Sequence, residues 1–317
     1  MTDTQNEVFK TPVNKIRLFE HGAPGSQNLK LTRKYYTEDM PDGRVKHIVQ
    51  NITDPDIVPY IPDGIGNSTD RQRIPAVLII PGGAFRRLVY NFEGEDVAKW
   101  LNSMGIAAFV LECRLPSDEH DNAEDVSLID AMRAMRVIRG RAQEFGIDEA
   151  KIGVMGFSAG GFMAALLSTA YESDVYVDYK YKDEYDKLSA RPDFAVCSYP
   201  VISIDDCIEA GKRYMSEEQV LERISDSKAK ILHKYNPDKL VRPDMPPVFI
   251  CETDDDRTTL SENSVGFYMA ARKAGVSAEL HIFRTGGHGY GCGDDFAQTG
   301  EWKVLFTKWI KSIGIIS

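Results

Sequence analysis

Ser158 lies in Gly156-Phe157-Ser158-Ala159-Gly160, between the apolar run 151–155 and the small-residue run 161–167. A serine held between glycines at a strand-to-helix junction occupies a sharp, exposed turn, because side chains larger than hydrogen would clash where the backbone doubles back. The chemistry on offer is nucleophilic attack by the hydroxyl. The plainer alternative is a serine that caps an ordinary helix start.

A serine hydroxyl is a poor nucleophile near neutral pH, so attack requires a base within hydrogen-bond reach and an acid that holds that base in one tautomer. In a strand-turn-helix scaffold these follow the serine in the order acid, then histidine. His233, His281 and His288 come after Ser158. His233 sits in a charged, helix-like stretch and His281 inside the strand-like run 278–283. His288 stands in Gly286-Gly287-His288-Gly289-Tyr290-Gly291, a glycine-rich loop just past the last strand, and is the candidate base.

The acid is expected at the end of the preceding strand, where Cys251-Glu252-Thr253-Asp254-Asp255-Asp256-Arg257 offers three adjacent aspartates. Adjacent carboxylates repel, and one arrangement turns a single one toward the histidine while the others face solvent or pair with Arg257. The residues alone leave the choice among them open. Negative charge on the attacked carbonyl oxygen calls for two backbone N–H donors. Ala159, at the start of the following helix, supplies one. Gly83 and Ala84, in the turn Ile80-Pro81-Gly82-Gly83-Ala84-Phe85, are candidates for the other.

These groups need elements that bring them together. From about residue 75 onward, β-like runs at 75–80, 105–111, 151–157, 194–199, 247–251 and 278–283 alternate with helical stretches at 93–104, 128–145, 159–170, 261–274 and 301–313. That alternation predicts an α/β fold with a mostly parallel central sheet flanked by helices. In the last helix Trp302, Phe306, Trp309 and Ile313 recur at helical spacing and form its core-facing stripe. β-like pieces at 29–36 and 45–52 are read as antiparallel edge strands, followed by a Pro/Gly/Asp-rich connection over 54–70. Residues 171–191 and 205–242 interrupt the alternation around one core strand and predict either a small cap over a pocket or solvated surface loops. One domain over 1–317 is expected.

With 317 residues, 43% hydrophobic and 27% charged, the composition is that of a soluble globular chain. A formal net charge of -10 repels nucleic acid and anionic membranes at long range and favours a neutral or weakly charged small-molecule substrate. No stretch reaches membrane-spanning length and the first residues lack the pattern of a secretion signal, so a cytoplasmic address is expected. The five cysteines, Cys113, Cys197, Cys207, Cys251 and Cys292, include no CxxC pair and suit reduced thiols. No metal and no cofactor are expected, and the oligomeric state, a homo-oligomer included, is left open.

Taken together the strings resemble the α/β-hydrolase superfamily, and within it the esterase branch of acetylxylan-esterase-like and dienelactone-hydrolase-like proteins. The resemblance runs from about Asn51 to the C-terminus. It rests on Pro81-Gly82-Gly83-Ala84-Phe85, Glu93-Gly94-Glu95-Asp96-Val97-Ala98, Cys113-Arg114-Leu115-Pro116, Asp130-Ala131-Met132-Arg133-Ala134, the Ser158 string through Gly161, the aspartate run through Glu262-Asn263-Ser264, and the His288 loop. It implies Ser158 as nucleophile, His288 as general base, Asp256 as acid with Asp255 second, and Gly83, Ala84 and Ala159 as oxyanion donors. It further implies a serine esterase acting on short acyl esters, acetyl foremost, of carbohydrate, here an acetylated oligosaccharide, through an acyl-enzyme. A peptidase or lactone hydrolase of the same fold, or an inactive binding protein, are the alternatives. Phe162, Cys113 and the pair Thr258-Thr259 depart from the family pattern.

Overall fold

The uninterrupted apolar runs become strands buried on both faces, the form that a parallel sheet covered by helices requires. A computed structural model describes Phe9 and residues 13–65, 73–213, 215–216, 218–220, 230–293 and 298–317. The side chains of Cys207 and Ala210 lie outside the described residues. In chain order the strands are β1 (Ile16–Arg17), β2 (Lys34–Asp39), β3 (Val45–Gln50), β4 (Asp56–Tyr60), β5 (Ile74–Ile80), β6 (Leu88–Val89), β7 (Ala107–Glu112), β8 (Ile147–Phe157), β9 (Ala195–Ser198), β10 (Val248–Thr253) and β11 (Ala278–Phe283). The helices are α1 (Asp96–Ser103), α2 (Val126–Gly140), α3 (Ala142–Phe145), α4 (Ala159–Ala170), α5 (Ile204–Lys212), α6 (Lys230–Lys234), α7 (Ser261–Lys273) and α8 (Glu301–Ser312).

Eight strands form one sheet in the order β1-β4-β7-β5-β8-β9-β10-β11. From β7 to β11 every neighbour is parallel, and β4 and β1 close one edge antiparallel. Ile80 pairs with Gly156 and Phe157 with Ser198, so the carboxyl ends of β5, β8 and β9 finish level with one another. The loops leaving these ends carry the Pro81 turn, Ser158 and Tyr199. The mostly parallel sheet expected from the sequence is the observed one.

The N-terminal third corrects the expectation of edge strands at 29–36 and 45–52. β2 and β3 do pair antiparallel, but with β6 they form a separate three-stranded sheet. β-favouring residues mark a strand without naming its partner. The antiparallel edge of the large sheet is β1 and β4, and β4 lies inside the stretch read as a connection. Pro59 hid it, since proline has no N–H to give a ladder. Here that loss is harmless, because β1 pairs only with Asp56 and Ile57.

A buried ionic knot fastens the small sheet to the large one. Glu112, fully buried at the end of β7, takes Lys15 Nζ at 2.6 Å, Arg33 Nη1 at 2.7 Å and the Tyr35 hydroxyl at 2.9 Å. Arg33 also donates to Asp56 of β4 at 2.6 Å. A second buried pair explains two strings noticed in the sequence: Arg114, after β7, is held by Asp130 of α2 through Nη2 to Oδ1 at 2.7 Å and Nε to Oδ1 at 3.0 Å. Removing one partner of so buried a pair strands a charge in the interior, which costs about 3–5 kcal/mol.

Candidate active site

Glycines shape the turn that presents Ser158. A Cβ on Gly156 would meet Gly160 O at 1.9 Å, and one on Gly160 would meet Ile80 O at 1.9 Å. The chain can therefore double back from β8 into α4 only with hydrogen at these positions. Ser158 itself sits at φ 54° and ψ -119°, a conformation that side-chain-bearing residues avoid. Its N–H is held by Ser198 O at 3.0 Å and its carbonyl takes Phe162 N–H at 3.0 Å, so the strained residue is fixed at both ends.

The structure brings three of the expected side chains into line. Ser158 Oγ lies 2.8 Å from His288 Nε2, and His288 Nδ1 lies 2.6 Å from Asp256 Oδ2. Asp256 is buried and also accepts the N–H groups of Thr258 and Thr259 through Oδ1 at 2.7 and 2.9 Å, and the Thr259 hydroxyl through Oδ2 at 3.0 Å. Burial raises the cost of its charge, but the His288 hydrogen bond and charge, with the two N–H groups, more than offset that and hold the carboxyl below its ordinary range. An ionised Asp256 must be met by a donor. The proton of the neutral imidazole is thereby assigned to Nδ1, leaving the Nε2 lone pair to face the serine.

Among the three aspartates the geometry separates the alternatives. Asp255 turns to the backbone of the histidine loop, accepting Gly286 and Gly287 N–H at 2.9 and 2.8 Å through Oδ1. Asp254 is exposed. His233 lies in α6, and His281 lies on β11 with its Nε2 2.7 Å from Glu279 Oε1.

The turn after β5 runs beside the serine. Gly83 (φ 138°), Ala84 (φ 56°) and Phe85 (φ 59°) all adopt left-handed conformations. Gly82 N–H is taken by Glu93 Oε2 at 2.8 Å, and its carbonyl by Val89 N–H at 2.9 Å. Gly83 and Ala84 line the cavity together with Ser158 and His288. Ala159 opens α4, where the first N–H groups of a helix have no intrahelical acceptor. Behind the turn Phe85 packs edge-on against Phe162, with ring centroids 5.5 Å apart, so the unusual Phe162 buttresses this turn.

The cavity over Ser158 measures about 240 Å³. The small sheet and its turns form one wall: Met40, Arg44, Lys46, Arg87 and Val89 join Phe92, Glu93, Thr258 and Gly289 around Ser158 and His288. No residue of 171–242 is in this described lining, and 214, 217 and 221–229 lie outside the described residues. Sequence reasoning did not find this wall, nor the buried Glu93 and Tyr199 beside it. Glu93 was visible only as part of a quoted string, and Tyr199 only as the last residue of a strand.

With the geometry in place, comparison with known proteins gives the lineage. The family described as BD-FAE matches residues 65–270. The chain belongs to the BD-FAE family. The matched stretch includes Ser158 and Asp256 and ends before His288. An acetylxylan esterase of Xylanibacter ruminicola is 30% identical over 240 residues, which are 75% of this chain and 45% of that protein; the chain thus spans less than half of that relative's length. The solved acetyl ester-xyloside bifunctional hydrolase of Caldicellulosiruptor lactoaceticus is 34% identical, covers 96% of this chain and 97% of its own, and has a TM-score of 0.70. A carboxylesterase from Lactobacillus plantarum, 19% identical over 90% of this chain and 99% of its own with a TM-score of 0.69, shares the fold. This BD-FAE chain has the α/β-hydrolase fold expected from its sequence. Among the described residues no helix is long and apolar enough to cross a membrane.

Proposed function

We propose that this chain is a serine esterase that removes short acyl groups, acetyl foremost, from carbohydrate through an acyl-enzyme. The observation that carries the reading is the continuous line from Asp256 through His288 to Ser158, at 2.6 and 2.8 Å, beside a turn of backbone N–H groups. The relatives named for acetylxylan and acetyl ester-xyloside hydrolysis support the substrate class.

In this reading His288 Nε2 takes the Ser158 hydroxyl proton as Oγ attacks the ester carbonyl. Asp256 steadies the imidazolium that forms. The carbonyl oxygen becomes an oxyanion facing the N–H groups of Ala159 and of Gly83 or Ala84, and donors of this kind are worth about 3–4 kcal/mol each in the transition state. The tetrahedral intermediate collapses, the sugar oxygen leaves with the proton from Nε2, and the acyl group remains on Oγ. Water, deprotonated by His288, then attacks the acyl-enzyme and releases the acid. Cys113, Cys197 and Cys251 are buried thiols that take no part, and as reduced thiols they suit a cytoplasmic setting.

The test is a panel of acetylated xylo-oligosaccharides, p-nitrophenyl esters of rising chain length, peptides and lactones, run beside labelling by a fluorophosphonate. Turnover of acetyl esters with label on Ser158 is the expected result. Preference for peptides or lactones would overturn the substrate class, and absence of label would overturn the mechanism.

A further inference from the structure

Resting on the esterase reading, we infer that Glu93 and Tyr199 form a brace that locks the oxyanion turn to the histidine loop, with Glu93 as a positioning residue for catalysis. Glu93 is a buried carboxyl with one oxygen on each side of the site. Oε2 accepts Gly82 N–H at 2.8 Å, and Oε1 accepts the Tyr199 hydroxyl at 3.0 Å. The same Tyr199 oxygen accepts Gly291 N–H from the loop that carries His288, at 3.1 Å. The bridge from the turn to the loop is thus Gly82, Glu93, Tyr199, Gly291, with each heavy-atom step between 2.8 and 3.1 Å.

Tyr199 serves the remaining parts as well. Its ring stands edge-on to His288 at 5.0 Å between centroids. Its carbonyl lies 3.3 Å from the Thr259 hydroxyl, the group that donates to Asp256 Oδ2 at 3.0 Å. It is itself held at φ 38°. The fit around Gly82 is equally tight: a Cβ there would lie 2.8 Å from Glu93 Oε2 and 2.9 Å from Ser158 Cβ.

The brace has a reason to exist. Left-handed backbone at Ala84 and Phe85 costs about 1–2 kcal/mol per residue and persists only where neighbours over-determine it. Anchoring Gly82 N–H outward on Glu93 fixes the peptide plane from which Gly83 and Ala84 follow. Burial pushes the Glu93 carboxyl above its ordinary range, while His288, the Tyr199 and Gly82 hydrogen bonds and Lys46 pull it back. Arg44 and Arg87 line the same cavity as Glu93.

Two variants and their combination test the brace: Glu93→Gln, which keeps the size and one acceptor, and Tyr199→Phe, which keeps the ring. Each should lower kcat for p-nitrophenyl acetate about 10-fold or more with KM within about threefold, because only the transition state feels the turn. The double variant should be no worse than about threefold below the poorer single one, since both cut the same bridge. The loss should fall on kcat while KM stays nearly unchanged, a split that loosened packing of the cavity alone does not produce. Additive losses, or an unchanged kcat, would overturn the brace. If E93Q does not fold, an unchanged kcat in Y199F overturns it alone. Failure of the esterase reading is distinguished because the wild-type enzyme itself would then show no turnover of p-nitrophenyl acetate.

Discussion

Asp255 and Asp256, neighbours in the chain, grip the histidine loop at different points: Asp256 holds the imidazole of His288 and Asp255 the backbone of Gly286 and Gly287. The division gives each carboxyl its own mutational signature. Asp256→Asn puts an amide where His288 Nδ1 needs an anion, so kcat should fall about 10³-fold or more. Asp255→Asn keeps an acceptor oxygen for both N–H groups, and its loss should stay below about tenfold. Steady-state kinetics on p-nitrophenyl acetate with both variants decides the acid.

Ser158→Ala should remove about 10³-fold or more of kcat and all fluorophosphonate label, while the circular dichroism spectrum stays that of the wild type. Among the described residues the hydroxyl is bonded to His288 Nε2 and to no other element. Retained turnover in a variant verified by mass would end the assignment of the nucleophile.

Two glycine-to-alanine changes should move stability in opposite directions. At Gly156 the new methyl would meet Gly160 O at 1.9 Å, a backbone atom that cannot step aside. Gly156→Ala should therefore destabilise by more than about 3 kcal/mol or fail to accumulate as folded protein. Gly266, inside α7, has nothing within 4 Å of the added atom. Gly266→Ala should stabilise by about 0.5–1 kcal/mol in urea unfolding, as expected for replacing glycine in a helix.

His120 supplies a pH dependence with a definite sign. It is buried, with Nδ1 3.0 Å from Ser26 Oγ, and burial together with the Arg114 charge pushes its imidazole down to about 4 from 6.5. The unfolded chain therefore takes up a proton as pH falls through 6.5 while the folded protein does not. Stability from this group is fully present above 6.5 and is lost down to about 4. Its slope is at most about 1.4 kcal/mol per pH unit. Urea unfolding of the wild type and His120→Gln between pH 4 and 7 should show the flatter profile in the variant; parallel profiles would remove His120 as the cause.

The serine and histidine that the structure brings together were legible because the chemistry expected of them constrains their neighbours. Only glycine fits at 156 and 160, and a glycine-rich loop is what lets His288 reach across from β11 to β8. The core strands were legible as apolar runs because both their faces are covered. What escaped notice depends on distances that sequence spacing does not encode. The residues alone leave Asp255 and Asp256 open, and only the family resemblance prefers Asp256, because where two adjacent side chains point is not written in their order. β4 was masked by Pro59, and the partner of β2 and β3 turned out to be β6, a two-residue strand inside a loop. Glu93 and Tyr199 stand 106 residues apart and meet only once the turn and loop are folded.

Because Met40, Arg44 and Lys46 come from a ribbon lying apart from the main sheet, the esterase reading assigns selectivity and reactivity to separable pieces of polypeptide. In a chain whose overall charge is negative, the doorway to the serine is framed by Arg44, Lys46 and Arg87. Recasting that visor would alter which molecules are admitted while leaving the engine beneath it untouched.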